Sequence, residues 1–179
     1  MTMRATGLRD DLFDYLVENF SGEDEFLKNL LIEAKDFGIP QISISAEQVK
    51  FIQFILKAIN ARNVLEIGTL AGYSAIAIAR ALPDDGKITT IELEQKHFEF
   101  ASKKIQEAGL THKITIINDN ALNFLEHYSP DEKLDFVFLD ADKNNYYKYV
   151  KILDKYVKNG GIISADNAFA FGFVTQSAP

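Results

Sequence analysis

The sequence predicts an α/β fold, a doubly wound and mostly parallel sheet preceded by N-terminal helices. Three observations predict it. From residue 63 onward, short apolar or β-branched runs (64–67, 88–93, 114–117, 136–139 and 162–163) alternate with helical stretches (74–82, 95–108, 121–128 and 146–157). Strand and helix taking turns in this way implies parallel strands whose two faces are covered by the connecting helices. Residues 1–60 instead carry apolar side chains only at helical spacing. The chain of 179 residues, 47% hydrophobic and 25% charged, suits one domain with a sizeable core.

Taken in order, Leu8, Leu12, Tyr15, Leu16 and Phe20 recur at three- and four-residue intervals, as do Phe26, Leu27, Leu30, Leu31 and Ala34. Gly38, Ile39 and Pro40 break that pattern. Ser45 and Gln48 then have the spacing of a capping box opening a helix with Val49, Ile52, Ile55, Leu56 and Ile59 along its inner face. A helical cap over residues 1–60 and an α/β core over 61–179 together make a single domain. The sequence shows no internal repeat, low-complexity segment or linker.

Charge and composition exclude several function classes. A net charge of −7 opposes non-specific binding to polyanions. The absence of cysteine removes disulfides and thiolate metal sites. The first fourteen residues include acids and no apolar run, unlike a signal peptide, and no stretch reaches the roughly 18–20 apolar residues of a spanning helix. A cytoplasmic location is expected. His97, His112 and His127 stand singly without metal spacing and read as solvated.

In such sheets ligands bind beyond the carboxyl ends of the strands, so the residues after each run carry the function. The first run ends in EIGTLAGYS (66–74), whose two glycines let backbone approach a ligand. A nicotinamide fingerprint fails because position 70 is leucine. Glu92, about twenty residues beyond Gly72, is placed to accept the hydroxyl protons of a ribose. Asp119 and Asn120 follow the third run and either line an adenine pocket or cap the next helix, the cap being favoured. The fourth run ends in FLDADKNNYY (138–147), and the fifth in SADN (164–167). Adjacent parallel strands would bring Asp140 to Asp166 and Asn167, an all-oxygen set suited to Mg²⁺, Mn²⁺ or Ca²⁺. Tyr146 is expected near the site, and Tyr147 and Tyr149 at the surface or an interface.

EIGTLAGYS (66–74), LPDDGK (82–87), FLDADKNNY (138–146) and GGIISADN (160–167) resemble the cation-dependent O-methyltransferases of the caffeoyl-CoA and catechol type. The resemblance implies a Rossmann-like class I methyltransferase fold using S-adenosylmethionine and a divalent cation, Mg²⁺ first among them. It implies that Glu66, Gly68 and Thr69 contact the amino acid part of the cofactor, and that Ser74 binds its carboxylate. Glu92 takes the ribose hydroxyls, Ala121 lies against the adenine, Asp142 meets the methionine ammonium, and Ile44 contributes a further cofactor contact. Asp140, Asp166 and Asn167 match the metal ligands, Asp140 also standing next to the cofactor, and Lys143 matches the general base. The implied acceptor is a catechol-like small molecule and the implied assembly a homodimer.

Two features depart from the family pattern. Where the family commonly has Leu-Trp after its Asp-Asn pair, this chain reads AFAFGF (168–173), and it contains no tryptophan. That stretch lines the acceptor pocket in the family. The family fold also carries two further strands, roughly 40–60 residues, so a C-terminally truncated sheet is expected, with an open edge and a tendency to self-associate. Other readings are a tRNA hydroxyuridine O-methyltransferase of the same family, a nicotinamide oxidoreductase, and a catalytically silent cofactor-binding module.

Overall fold

The computed structural model describes residues 9–168. The AFAFGF segment beyond Ala168 and the first periodic residue, Leu8, lie outside them. The N-terminal helices are α1 (Asp10–Leu16), running into a π-helical turn (Val17–Ser21), α2 (Glu25–Asp36) and α3 (Ala46–Ala58). The core then runs β1 (Asn63–Ile67), α4 (Tyr73–Ala81), β2 (Lys87–Glu92), α5 (Gln95–Glu107), β3 (Ile114–Asn118), α6 (Ala121–Glu126) and β4 (Leu134–Leu139). A short 3₁₀ turn (Lys143–Asn145), α7 (Tyr146–Leu153) and β5 (Val157–Ala165) complete the described part. Every strand pairing is parallel, in the order β3-β2-β1-β4-β5. The doubly wound α/β reading is therefore correct.

Side-chain alternation along the strands divides the core into two layers. Val64, Ile88, Phe136 and Phe138 belong to the layer of α2, α3, α4 and α5. Leu65, Ile67, Val137 and Leu139 belong to that of α6 and α7. All six residues of β4 are buried, as befits a strand covered on both faces. The N-terminal cap is fastened to α4 by polar ties: Tyr73 donates to Glu23 at 2.6 Å and Arg80 to Asp24 at 2.6 Å. At the start of α3, Gln48 accepts from the Ser45 backbone N–H at 3.0 Å, the glutamine half of the expected capping box.

The last strand begins earlier than its apolar run suggests. Val157, expected in the preceding helix, starts β5, and the polar, glycine-containing stretch 158–161 forms an irregular part of the ladder. Leu134 pairs with Val157 and Phe136 with Ile162, so β5 carries extra residues in a bulge. Gly161 is required there, since a Cβ would stand 2.6 Å from the Val157 side chain. A bulge of polar residues and glycine lacks the apolar alternation that identifies strands in sequence.

Candidate active site

The sheet order reverses at β1, which has β2 on one side and β4 on the other. This is the switch point where open α/β sheets leave a crevice beyond the strand ends. The three strand ends are joined there by backbone bonds: Gly68 N–H donates to Ile91 O at 3.0 Å, and Asp140 N–H to Ile67 O at 2.9 Å. Gly68 has φ +100°, and a Cβ on it would stand 2.1 Å from the Asp140 carbonyl oxygen. Only glycine lets the turn pass so close to β4.

A cleft of about 430 Å³ opens at this point, within the range usual for small-molecule sites. Ile44, Gly68, Thr69, Ser74, Glu92, Ala121, Asp140 and Asp142 all line it. Of the residues expected around a cofactor, only Glu66 does not. It is fully buried beneath the turn, where the Thr90 hydroxyl donates to its carboxyl at 2.5 Å and itself meets the Thr69 hydroxyl at 2.5 Å. Burial pushes the Glu66 carboxyl up to about 8; nearby Asp140 and Glu92 add to the rise, and hydrogen bonds from Ser74 and Thr90 oppose it.

The sign of that shift gives a prediction. Between its ordinary value of 4.5 and about 8, folded Glu66 holds a proton that the unfolded chain has released. Stability contributed by this group is therefore greatest at low pH and falls as pH rises, at most about 1.4 kcal/mol per pH unit. Glu66→Gln is expected to flatten that fall between pH 5 and 8 in urea unfolding. Wild type and variant losing stability in parallel across the window would refute the assignment.

Glu92 does more than its sequence position suggests. Its Oε2 accepts from the backbone N–H groups of Thr69 at 3.2 Å and Leu70 at 2.7 Å, and its Oε1 from that of Glu94 at 2.9 Å. Leu70, the residue that breaks the nicotinamide fingerprint, has φ +51°. The carboxylate holds a non-glycine residue in the left-handed region, where it is otherwise disfavoured. Asn120 caps α6 as expected, accepting from Leu122 N–H at 2.9 Å and Asn123 N–H at 3.4 Å, while Asp119 and Asn120 also form part of the cleft wall.

At the other end of the cleft lie the strand ends of β4 and β5. Phe138 pairs with Ser164 and Leu139 with Ala165, so Asp140 and Asp166 are the next residues on adjacent strands. The Asp166 N–H donates to Leu139 O at 2.9 Å, and Asn167 follows at φ +50°. Burial raises the Asp140 carboxyl above its ordinary range, and the Asp166 charge adds to the rise against the pull of Lys143. Two acids held at one strand end, with an amide following, give the oxygen-only donor set that a hard divalent cation takes. Among the described residues there is no group of three or more His, Cys, Asp or Glu that could hold a metal ion; the donor types at this strand end are two carboxylates and one amide. It fits a cation such as Mg²⁺, with coordination positions left over.

Lys143 Nζ donates to Asp140 at 3.0 Å and to the Tyr146 hydroxyl at 2.8 Å. Burial acts to lower its pKa, but hydrogen bonds with Tyr146 and Asp140 outweigh it and leave the ammonium favoured. The Tyr146 hydroxyl reaches Leu139 O at 2.9 Å and Asp166 O at 3.1 Å, bridging the ends of β4 and β5. Beside this end a second groove of about 470 Å³ runs between α3 and the end of β5, with Ile44, Phe51, Ile52, Phe138 and Asp166 in its walls. Ile44 belongs to both cavities.

Two expectations are corrected. His97 is not solvated: its side chain is 16% exposed, lines the cleft and faces Glu92, Nδ1 to Oε1 3.5 Å. The first turn of α5 turns it inward. Tyr149 is not a surface residue: it is 3% exposed and donates to Asp142 at 2.5 Å. Helical spacing from the buried Leu153 marks its face as inward. Tyr73, Leu93 and Ile42 also line the cleft without having been singled out. His112, His127 and Tyr147 are exposed as expected.

Comparison with known proteins agrees with this fold. The model of a family described as O-methyltransferase matches residues 17–179. Caffeoyl-CoA O-methyltransferase of Petroselinum crispum is 40% identical over 175 residues, covering 94% of this chain and 73% of that protein. Caffeoyl-CoA O-methyltransferase 2 of Eucalyptus globulus is also 40% identical, covering 94% and 71%. Among solved structures, an O-methyltransferase from Bacillus cereus in complex with SAH aligns with a TM-score of 0.87 at 33% identity, covering 93% of this chain and 77% of that one. The O-methyltransferase TomG of Streptomyces achromogenes, in complex with SAM, gives 0.87 at 33% identity, covering 94% and 77%.

Proposed function

This chain belongs to the O-methyltransferase family, and from that premise we propose that it transfers a methyl group from S-adenosylmethionine to a hydroxyl of a catechol-like small molecule, aided by a divalent cation. The observation that carries the reading is the composition of the crevice at the switch point. A buried acid suited to a ribose, Glu92, lies at one end of the cleft, and Asp140, next to Asp166 on the neighbouring strand, lies at the other. Relatives named for O-methyl transfer and neighbours bound to SAM or SAH support the same assignment.

Each residue then has a role. Glu92 accepts from the ribose hydroxyls while continuing to hold the turn. Ala121 lies against the base, and Ile44 closes the opposite wall. Asp142 receives the ammonium, and Ser74, in the first turn of α4, donates to the carboxylate at the positive end of the helix. Gly68 and Thr69 supply close backbone against the amino acid part, with Glu66 behind them. Asp140, Asp166 and Asn167 would hold the cation, Mg²⁺ by preference. When bound, such a cation lowers the pKa of a chelated hydroxyl and orients it. The acceptor would enter along the groove of Phe51, Ile52 and Phe138, whose apolar walls suit a flat ring. Lys143, freed from Asp140 and having first given up its own proton to solvent, would take the acceptor proton as the neutral amine. Positioning then supplies much of the rate, since methyl transfer is an in-line displacement.

Among the described residues no helix is long and apolar enough to cross a membrane. The same reading makes the protein a cytoplasmic homodimer, with exposed Phe20 and Phe54 on its pairing surface.

Labelled methyl transfer from S-adenosylmethionine to a panel of vicinal diphenols and to bulk tRNA, with and without chelator, tests the proposal. Transfer to a diphenol that chelation abolishes is the expected result. Transfer surviving complete chelation would remove the metal role, and labelling of tRNA alone would move the acceptor to nucleic acid.

A further inference from the structure

Asp142 and Tyr149 are joined across the 3₁₀ turn and the start of α7. The Tyr149 ring belongs to the apolar layer of Leu65, Ile67, Val137 and Leu139, while its hydroxyl reaches the cleft and donates to Asp142 Oδ1 at 2.5 Å. Asn145 donates to the other carboxylate oxygen. Asp142 is otherwise an exposed side chain at the cleft edge. An aspartate so placed samples several rotamers, and each costs affinity unless something selects the binding one. Burial and the adjacent carboxylate raise the Tyr149 phenol well above its ordinary value, so it remains a donor throughout the physiological range.

We infer that Tyr149 is a positioning residue for the cofactor: anchored in the core, it locks the Asp142 carboxylate in the orientation that receives the ammonium of S-adenosylmethionine. The inference rests on the cofactor reading above and extends it to a residue that only the packing of α7 brings to the cleft. It separates Tyr149 from Tyr146, whose hydroxyl serves Lys143 and the strand ends instead. A rigid donor beneath a carboxylate leaves the remaining lone pairs facing the ligand, which is the arrangement that fixes a binding group by a supporting hydrogen bond.

The test is calorimetric binding of two nucleosides to wild type, Tyr149→Phe, Asp142→Asn and the double variant. S-adenosylhomocysteine carries the ammonium; 5′-methylthioadenosine lacks the whole amino acid part. Tyr149→Phe is expected to weaken S-adenosylhomocysteine about tenfold, as loss of a hydrogen bond to a charged group does, and to leave methylthioadenosine unchanged. In the Asp142→Asn background the same substitution is expected to cost less than twofold. Equal weakening of both nucleosides would mean a general disturbance of the cleft and would overturn the inference, as would unchanged binding of both. A tenfold loss persisting without the Asp142 charge would overturn it too. Wild type that binds neither nucleoside would refute the cofactor reading itself, and this inference with it.

Discussion

Asparagine in place of Asp140 is expected to lower methyl transfer by roughly three orders of magnitude, the scale of several kcal/mol of charge stabilisation supplied by a metal. The same change is expected to leave the melting temperature of the ligand-free protein within about 2 °C of wild type, roughly the shift for well under 1 kcal/mol at this size. The asymmetry follows from the geometry. Asp140 is half-buried beside Asp166, and both conditions disfavour its charge, so the folded protein gains little from keeping it. The ion pair it makes with Lys143 is partly exposed and worth little. A methyl-transfer assay checks the first half and differential scanning calorimetry with and without Mg²⁺ the second: wild type should be stabilised by the cation through mass action and the variant should not. An equal Mg²⁺-induced shift in both proteins would exclude Asp140 as a ligand.

Alanine in place of Gly68 is expected to have the largest effect on stability, about 3–5 kcal/mol, or roughly a 10 °C fall in melting temperature. Two costs coincide there: φ is +100°, and the new Cβ meets the Asp140 carbonyl oxygen at 2.1 Å. That oxygen is backbone immediately after the fully buried strand β4, so it has no rotamer into which to retreat. Relief requires moving the end of β4, and Asp140 and Asp142 with it, so nucleoside binding should be lost as well. Gly109→Ala is the control. Its φ of +69° is also left-handed, but nothing lies within 4 Å of the added Cβ, and a loss of about 1 kcal/mol is expected. Comparable losses for the two variants in chemical denaturation would show that the close approach of turn and strand costs nothing.

Much of the candidate site is legible in the sequence because parallel α/β folds place their functional residues at strand ends. Residues following apolar runs can be read off as neighbours: Asp140 and Asp166 come together because β4 and β5 pair in register, and Gly68 and Glu92 because β1 and β2 do. The less legible residues lie on helices or depend on side-chain direction. Whether Tyr149 faces the sheet or solvent turns on the rotation of α7 about its axis, set by Leu153 and Tyr149 packing into the layer of α6 and α7. His97 reaches Glu92 only through the way α5 leaves β2. The start of β5 was hidden because residues 158–161 are polar and glycine-containing, and the ladder tolerates them through a bulge.

Local apolar pattern and chain connectivity were enough to dictate the alternation of strands and helices, the parallel sheet, and the residue types at each strand end. What those residues do to one another is visible in the packed structure alone. It showed that Glu92 braces the turn at Leu70, that Glu66 sits fully buried with its carboxyl favoured as the neutral acid, and that Tyr149 holds Asp142. Each of these is a hydrogen bond or a desolvation between elements, and its energy depends on distances and burial that arise when separate strands and helices pack, not on the residues adjacent along the chain.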